Sequence, residues 1–485
     1  MLKRFISLFL LLVLITLPLV SCNTNDDNNK NDDANQTDDG VTDFGGVDYT
    51  ILAREETAYE VDNSGEGTDD KVQRKIWERN VTMKDAYNVE VKISTCPGIY
   101  ANRAQYIAAA RQSVNSGMDE YALFFTHSSY MQLLAMEGMG LELSKLPQIN
   151  VSADWWCKDY NDISTVGGKS YVFVGDMGIT LYEYLEVVFF NERITDVFGI
   201  EDLYQKVLDG KWTLDEMIRL SKLVVPSDNS YVPEDVRTYG LLSNAHAAAS
   251  WVASLNLKYT VKGEGEQRTF GRSNPPQKLS KTFDILREWY MGDAVRYGMT
   301  TATDFEESNP IFADGRSLFY TQMLGEAKFL AANMEDEYGV LPFPKLEEGD
   351  NTWYRTTTRD SISSCMVPSS VLKTEMVGTI TEAMCKYGRE NITYEYFETR
   401  LKLRYFDDYQ TKAMLDIIRD GLSYEFTEVF GDAMTDSPYD SFSDVIRKNV
   451  VSPNSETLAF RWKANAGTWI KEIKIMYENF AKIGQ

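Results

Sequence analysis

His127 and His246 are the only imidazoles in this chain of 485 residues, so acid–base or metal chemistry built on imidazole has to use one of them. A Ser-His-Asp triad is assembled in space and spacing alone leaves it open, but no G-x-S-x-G elbow precedes either histidine. A zinc site of the common kind needs several imidazoles or paired thiols, and Cys22, Cys96, Cys157, Cys365 and Cys385 form no C-x-x-C pair. No phosphate-cradling G-x-x-x-x-G-K-[ST] loop or G-x-G-x-x-G turn follows a strand-like segment. The 73 carboxylates could hide a glycosidase pair, yet in so acidic a chain most of them serve as solvated surface charge. Residues 62–73 come nearest to a calcium loop, with Gly67 in the sixth place, but Gln73 stands where Glu is required. These residues point to no enzyme, no cofactor and no metal.

Aromatic side chains stand out instead, at 12% of the chain with 28 Tyr and 9 Trp. Tyr and Trp combine a flat apolar face with a polar tip, which suits them to stack on a sugar ring and bond its rim, although a large domain uses most of its aromatics as core. The formal net charge of −24, or −26 without Lys3 and Arg4, argues against nucleic acid, which needs a basic face that this sequence lacks.

The elements that must position such groups alternate. Residues 47–53 (VDYTILA) read as a strand, Lys71–Tyr87 as a helix, and 89–95 (VEVKIST) as a strand ending at the turn Pro97-Gly98. Asn102 can cap a helix whose Ile107, Ala110 and Val114 share a face and which Gly117 can close. Residues 121–125 (YALFF) are then a continuous apolar run of the kind found in a buried parallel strand. Strand, helix, strand, helix, strand is the pattern of an α/β fold with a mostly parallel sheet. The same grammar predicts strands at 169–176 and 184–191 on either side of a loop at 177–182, a capping box from Thr213 to Glu216, and strands at 316–322, within 338–350 and at 361–368. Met376, Ile380 and Met384 share one helical face, as do Met414, Ile417 and Ile418 before Gly421. Pro275-Pro276 mark a surface loop over 262–278. The chain is long enough for two lobes.

The amino terminus has a different character. Lys3 and Arg4 followed by the apolar run 5–20 read as a secretory signal over 1–21; Pro18 and the short span argue against a permanent membrane helix. Leu19-Val20-Ser21-Cys22 resembles the lipobox of bacterial lipoproteins, in which the cysteine is lipidated and becomes the first residue. Residues 22–46 would then be the lipidated Cys22 and an acidic tether too polar to collapse, holding a folded domain on the extracellular face of a cell membrane. For the other four cysteines three pairings are possible, and buried free thiols are the expectation in a core of this size.

Several stretches, in order along the chain, resemble the lipid-anchored solute-binding proteins of carbohydrate ABC importers, in the version found in Gram-positive anaerobes. They are WERN at 77–80, LAMEGMGLELSKLPQINVSADWW at 134–156, VGGKSYVFVGD at 166–176 and VVFFNERI at 187–194. DGKWTLDEM at 209–217, FADGRSLFY at 312–320, YGVLPFPKLEE at 338–348 and MLDIIRD at 414–420 complete the set. One departure is the run LEEGDNTWYRTTTRD at 346–360, where the family often places an acidic residue or Gln soon after a PKYDE motif. The resemblance implies the two-lobed, periplasmic-binding-protein-like fold of type II, with 47–176 and about 358–405 in one lobe and 177–357 and about 406–485 in the other. It implies a monomer that closes on a carbohydrate in the cleft and delivers it to ABC permease subunits.

Loops at the carboxyl ends of strands should face that cleft, which nominates Glu55, Glu56, Ser128, Tyr130, Asp176, Tyr182, Gln322, Trp353 and Arg355 as ligand contacts. Trp155 and Trp156, inside one of the shared stretches, read as packing. The alternatives are a receptor for a peptide or another charged solute, and a surface enzyme acting on glycans.

Overall fold

The computed structural model describes residues 35–36, 42–263, 267–298, 301–350, 353–406, 408–434 and 457–483. The stretch expected to be a signal, the expected lipidation position Cys22 and most of the expected tether lie outside the described residues.

Two sheets divide the chain into two α/β lobes. In the first, β1 (Val47–Arg54), β2 (Val89–Cys96), β3 (Leu123–His127) and β9 (Ser363–Met366) lie in the order β9-β3-β1-β2. β1 runs parallel to β2 and β3, and β9 pairs antiparallel with β3. In the second, β4 (Glu186–Asn191), β5 (Tyr239–Asn244), β6 (Val295–Gly298), β7 (Ser317–Met323) and β8 (Tyr338–Leu341) lie in the order β6-β5-β7-β4-β8. There β5 runs parallel to β6 and β7, while β4 is antiparallel to β7 and β8. The first sheet is thus mostly parallel, with β9 its antiparallel strand, and the second is evenly mixed.

Burial explains the sequence patterns. Every residue of β3 and of β4 is buried, as continuous apolar runs require when both faces of a sheet are covered. β1 shows the period of two: Tyr49, Ile51 and Ala53 enter one core layer and Leu52 the other. β2 is an edge strand, and its alternation of buried Val89 and Val91 with exposed Glu90 and Lys92 follows from that position.

The helices that matter below are α1 (Lys71–Tyr87), α2 (Arg103–Ser116), α3 (Ser128–Met136), α4 (Leu214–Leu223), α5 (Thr374–Tyr387), α6 (Tyr409–Asp420), α7 (Phe426–Met434) and α8 (Leu458–Lys482). α1 begins where Asp70 accepts the Gln73 amide and stops at Asn88, whose φ of 50° is left-handed. α2 ends at left-handed Gly117, but Asn102 makes no side-chain cap. α4 has half of its capping box: Thr213 accepts the Glu216 amide at 3.3 Å, while Glu216 turns to Arg219 and Lys206. α5 continues with wider winding through Gly388–Thr393 and Glu395–Tyr405. Of the segment after 406, α6 packs on β8, α7 lies on α3 of the first lobe, and α8 touches elements of both lobes.

Two further expectations differ from what is seen. Residues 169–176 form no ladder strand; they run extended and make single bridges, Phe173 to Cys365 and Gly175 to Trp156. The polar stretch 262–278 is a loop only in part, because Thr260–Lys262 and Arg268–Phe270 close a hairpin in which Phe270 is buried.

The stretches singled out in the sequence have structural roles. In WERN, buried Arg79 donates to the Met177 carbonyl at 2.8 Å and the Glu60 carbonyl at 2.9 Å, and Asn80 donates to the Val61 carbonyl at 2.8 Å. Trp155 and Trp156 both donate their indole N–H to Glu382 of α5, at 3.0 and 2.9 Å. Trp212 donates to the Pro342 carbonyl at 2.9 Å, and Leu214 and Lys345 exchange backbone bonds with Lys345 and Trp212, which joins DGKWTLDEM to YGVLPFPKLEE.

Candidate functional site

Three segments, 176–185, 355–362 and 421–425, run side by side between the lobes. Glu186 N donates to the Thr357 carbonyl at 2.9 Å and Arg359 N to the Tyr184 carbonyl at 3.0 Å; on the other edge Thr356 N donates to the Gly421 carbonyl at 2.9 Å and Ser423 N to the Thr356 carbonyl at 2.8 Å. The middle segment is where both sheets arrive. Arg54, the last residue of β1, donates to the Ser361 carbonyl at 3.1 Å, and Ser128, just past β3, donates through its hydroxyl to the Asp360 carbonyl at 2.6 Å. From the other lobe Gln322, near the end of β7, accepts a hydrogen bond from the Arg359 guanidinium. The carboxyl ends of parallel strands in two sheets therefore meet at 359–361, the kind of place where open α/β sheets bind ligands.

The electrostatics of this floor are mixed. Asp360 has an exposed side chain, yet the surrounding protein and then Asp432 push its carboxyl up to about 6. His127, at the end of β3, is held well below its ordinary value by burial, then by Arg54 and by His246 of the opposite lobe. Its Nδ1 accepts the Ser129 amide at 3.4 Å, which caps α3, and lies 2.9 Å from the Ser129 hydroxyl, while its ring stacks on Tyr130 at 5.1 Å. Among the described residues no carboxylate bonds that ring, so the Ser129–His127 contact lacks the third member of a triad.

Buried polar chains fix the floor from both sides. In the first lobe Glu60 accepts the Thr180 amide at 2.7 Å and the Ser363 hydroxyl, tying the first and second crossings together. In the second lobe a relay runs from Glu326 inward. Asn309 donates to Glu326 at 2.7 Å, Tyr320 to Asn309 at 2.6 Å, Gln322 to Tyr320 at 2.8 Å, and Arg359 to both Gln322 and Glu186. Bonded chains of this kind hold side chains in one arrangement, although Glu186 Oε2 is left without a partner among the described residues at the end of the relay. The floor thus holds the guanidinium, hydroxyl and amide groups of Arg54, Ser128, Gln322 and Arg359 buried and in set positions, with Asp360 the exposed residue among them.

The nominated residues divide into three groups. Ser128 and Gln322 meet the same crossing, and Glu55 and Glu56 stand exposed just past Arg54, with Glu56 accepting the Gly98 amide at 3.1 Å. Asp176 and Tyr182 come together elsewhere: Tyr182 donates to Asp176 at 2.5 Å, Thr393 donates to the same oxygen at 2.6 Å, and burial pushes Asp176 up to about 6. They line a cavity of about 360 Å³ with Asp154, Asp159, Arg389 and Arg419. Ser128 is not among the residues that line it. Tyr130 is buried in the core, with its hydroxyl donating to the Gly98 carbonyl at 2.5 Å. Trp353 projects into solvent at 86% exposure, and Arg355 is half-buried near the start of the second crossing.

Arg54, Arg359 and Asp360 are the floor residues that the sequence reading passed over. Their signal was present: Arg54 ends the first apolar run directly ahead of Glu55, and Arg359-Asp360 is a charged pair two residues before the buried strand β9. Among the described residues no group of His, Cys, Asp and Glu side chains is arranged to hold a metal ion, and no helix is long and apolar enough to cross a membrane.

No family model and no curated protein matches the chain. Solved structures do. The galacto-N-biose/lacto-N-biose I-binding protein of an ABC transporter from Bifidobacterium longum, in complex with lacto-N-biose, is 15% identical at a TM-score of 0.56, over 91% of this chain and 99% of that one. UgpB from Mycobacterium tuberculosis, in complex with glycerophosphocholine, is 15% identical at 0.56, over 89% and 98%. A cyclo/maltodextrin-binding protein complexed with maltotetraose is 12% identical at 0.52, over 90% and 98%. At these identities the likeness is one of fold, and the fold is the two-lobed, periplasmic-binding-protein-like one of solute-binding proteins.

Proposed function

We propose that this protein is the extracellular substrate-binding component of an ABC importer, which captures a carbohydrate between its lobes and delivers it to a membrane permease, tethered through a lipidated Cys22. The observation that carries the reading is the convergence of Arg54, Ser128 and Gln322, from strands of two different lobes, on the crossing at 359–361. A ligand bonded there touches both lobes and the segment about which they rotate, and so favours the closed arrangement by its differential affinity for it. Sugar ligands in two of the similar solved structures support the carbohydrate assignment. The mixture of donors and acceptors on the floor supports it too, since hydroxyl groups both give and accept hydrogen bonds.

The test is thermal unfolding of the chain from Gly46 onward against mono- and oligosaccharides, with short peptides and a phosphodiester such as glycerophosphocholine alongside. Ligand at about a hundred times its dissociation constant stabilises the folded state by roughly 2.7 kcal/mol. A shift with one sugar class is expected; a shift with peptides or the phosphodiester in place of sugars would overturn the carbohydrate assignment.

A further inference from the structure

The carboxyl-terminal helix α8 is unlike the others in length and in what it touches. Its buried residues are Leu458, Trp462, Ala466, Trp469, Ile473, Met476 and Phe480, spaced four, four, three, four, three and four, which keeps them on one face over its whole length. Twenty-five residues rise about 37 Å at 1.5 Å each, enough to reach across both lobes.

Its partners fall in two places. At its start, Trp462 donates to the Gly271 carbonyl at 2.7 Å, and Trp462 and Trp469 pack on Phe270 at 6.0 and 5.6 Å between centroids. Further along, the Arg268 amide donates to the Tyr477 hydroxyl at 2.9 Å. These partners belong to the hairpin Thr260–Lys262 and Arg268–Phe270, which is inserted in the connection from β5 to β6 of the second lobe. At its end, Phe480 meets Tyr171 at 5.9 Å, and Lys169 donates to the Ile483 carbonyl at 2.9 Å. Phe480 also meets Phe430 of α7, which lies on α3 of the first lobe.

We infer that α8 is a strap between the lobes: the hairpin is its anchor on the second lobe, and opening the cleft requires the hairpin to leave the helix. The contact acts on the hinge equilibrium from outside the cleft. Weakening it should loosen the three crossing segments, although none of its residues touches them in the bonds described above. This inference rests on the two-lobed arrangement and is independent of what the cleft binds.

The experiment is hydrogen exchange by mass spectrometry on the full chain without ligand, comparing Phe270→Ala, Tyr477→Phe and, on the exposed side of the helix, Ile475→Ala as control. Phe270→Ala is expected to speed exchange of the crossing amides Glu186, Thr356 and Ser423 by about tenfold, as a sub-global opening would, with a smaller effect from Tyr477→Phe and none from the control. Faster exchange confined to 260–271 and 458–480 would overturn the inference. If Phe270→Ala does not fold, Tyr477→Phe and Trp462→Phe, which keep the ring contacts and each lose one hydrogen bond, decide it by the same criterion.

Discussion

Arg359 donates through Nε to Glu186 Oε1 at 2.8 Å with both side chains buried, and so the second crossing is held to the first strand of the second lobe by a desolvated ion pair. Burial pushes Glu186 upward, and Arg359 pulls it back toward the ionised form. Cutting one partner of such a pair leaves an uncompensated charge, whereas replacing both by neutral groups of similar size is far milder. Arg359→Ala should therefore lower stability by about 3–5 kcal/mol, and Arg359→Met with Glu186→Gln by clearly less. Urea unfolding of the two variants checks this; equal losses would show that the crossing is held by packing and not by the pair.

Acidic groups buried without full compensation set the pH dependence. Burial raises Asp176 from 3.8 to about 6 and Glu428 from 4.5 to about 8. Between the unfolded and folded values the folded state binds more protons, so stability falls as pH rises through that window. The unfolding temperature should accordingly climb as pH drops from 8 toward 5. Below about 4 the trend reverses, because carboxylates such as Asp336, which Arg193 holds below the usual range, lose their ionised form. Asp176 alone carries a shift of about two units, on the order of 3 kcal/mol. Asp176→Asn should flatten the profile between pH 4 and 6, and an unchanged slope there would assign it to other groups.

Gly388 marks the closest approach of the helical stretch after α5 to the first crossing. A Cβ at this position would stand 1.8 Å from the Asp176 carbonyl oxygen, a backbone atom that cannot swing aside as a side chain would. Gly388→Ala should cost about 1–3 kcal/mol as overpacking and displace the Asp176–Tyr182–Thr393 cluster. The checks are chemical denaturation and the near-ultraviolet circular dichroism of Tyr182; wild-type values in both would mean that the helix shifts freely.

Elements with a strong local signal were legible in the sequence. Lys71–Tyr87 could be read as a helix, and β3 and β4 as strands from their uninterrupted apolar runs, because local pattern and burial agree there. The floor of the cleft was legible only as a rule about strand ends. That rule led to Ser128 and Gln322 but stepped over Arg54, since a lone arginine after a strand looks like surface charge until tertiary structure buries it. Tyr130 and Tyr182 show the converse: an aromatic next to a strand end can turn into the core or across the hinge, and the direction depends on partners such as Gly98 and Asp176 that lie far away or across a turn. The 260–270 hairpin was hidden because three-residue strands carry too little periodicity to register.

Asp360 and Tyr130 separate binding from stability. The Asp360 side chain is exposed on the cleft floor, and the bond from Ser128 goes to its backbone carbonyl, which substitution leaves in place. Asp360→Ala should therefore weaken sugar binding at least about tenfold, the loss of one hydrogen bond to a charged group, with little change in unfolding temperature. Tyr130→Phe removes a buried hydroxyl that bonds Gly98 and lies 2.8 Å from the Thr126 hydroxyl. It should cost about 1 kcal/mol of stability and leave affinity within a few-fold. Titration calorimetry with whichever sugar shifts the unfolding temperature, paired with urea unfolding, reads both quantities. If Tyr130→Phe abolished binding while Asp360→Ala did not, the ligand would sit between β3 and α2, deeper than the 359–361 floor, and the cleft assignment would have to move with it.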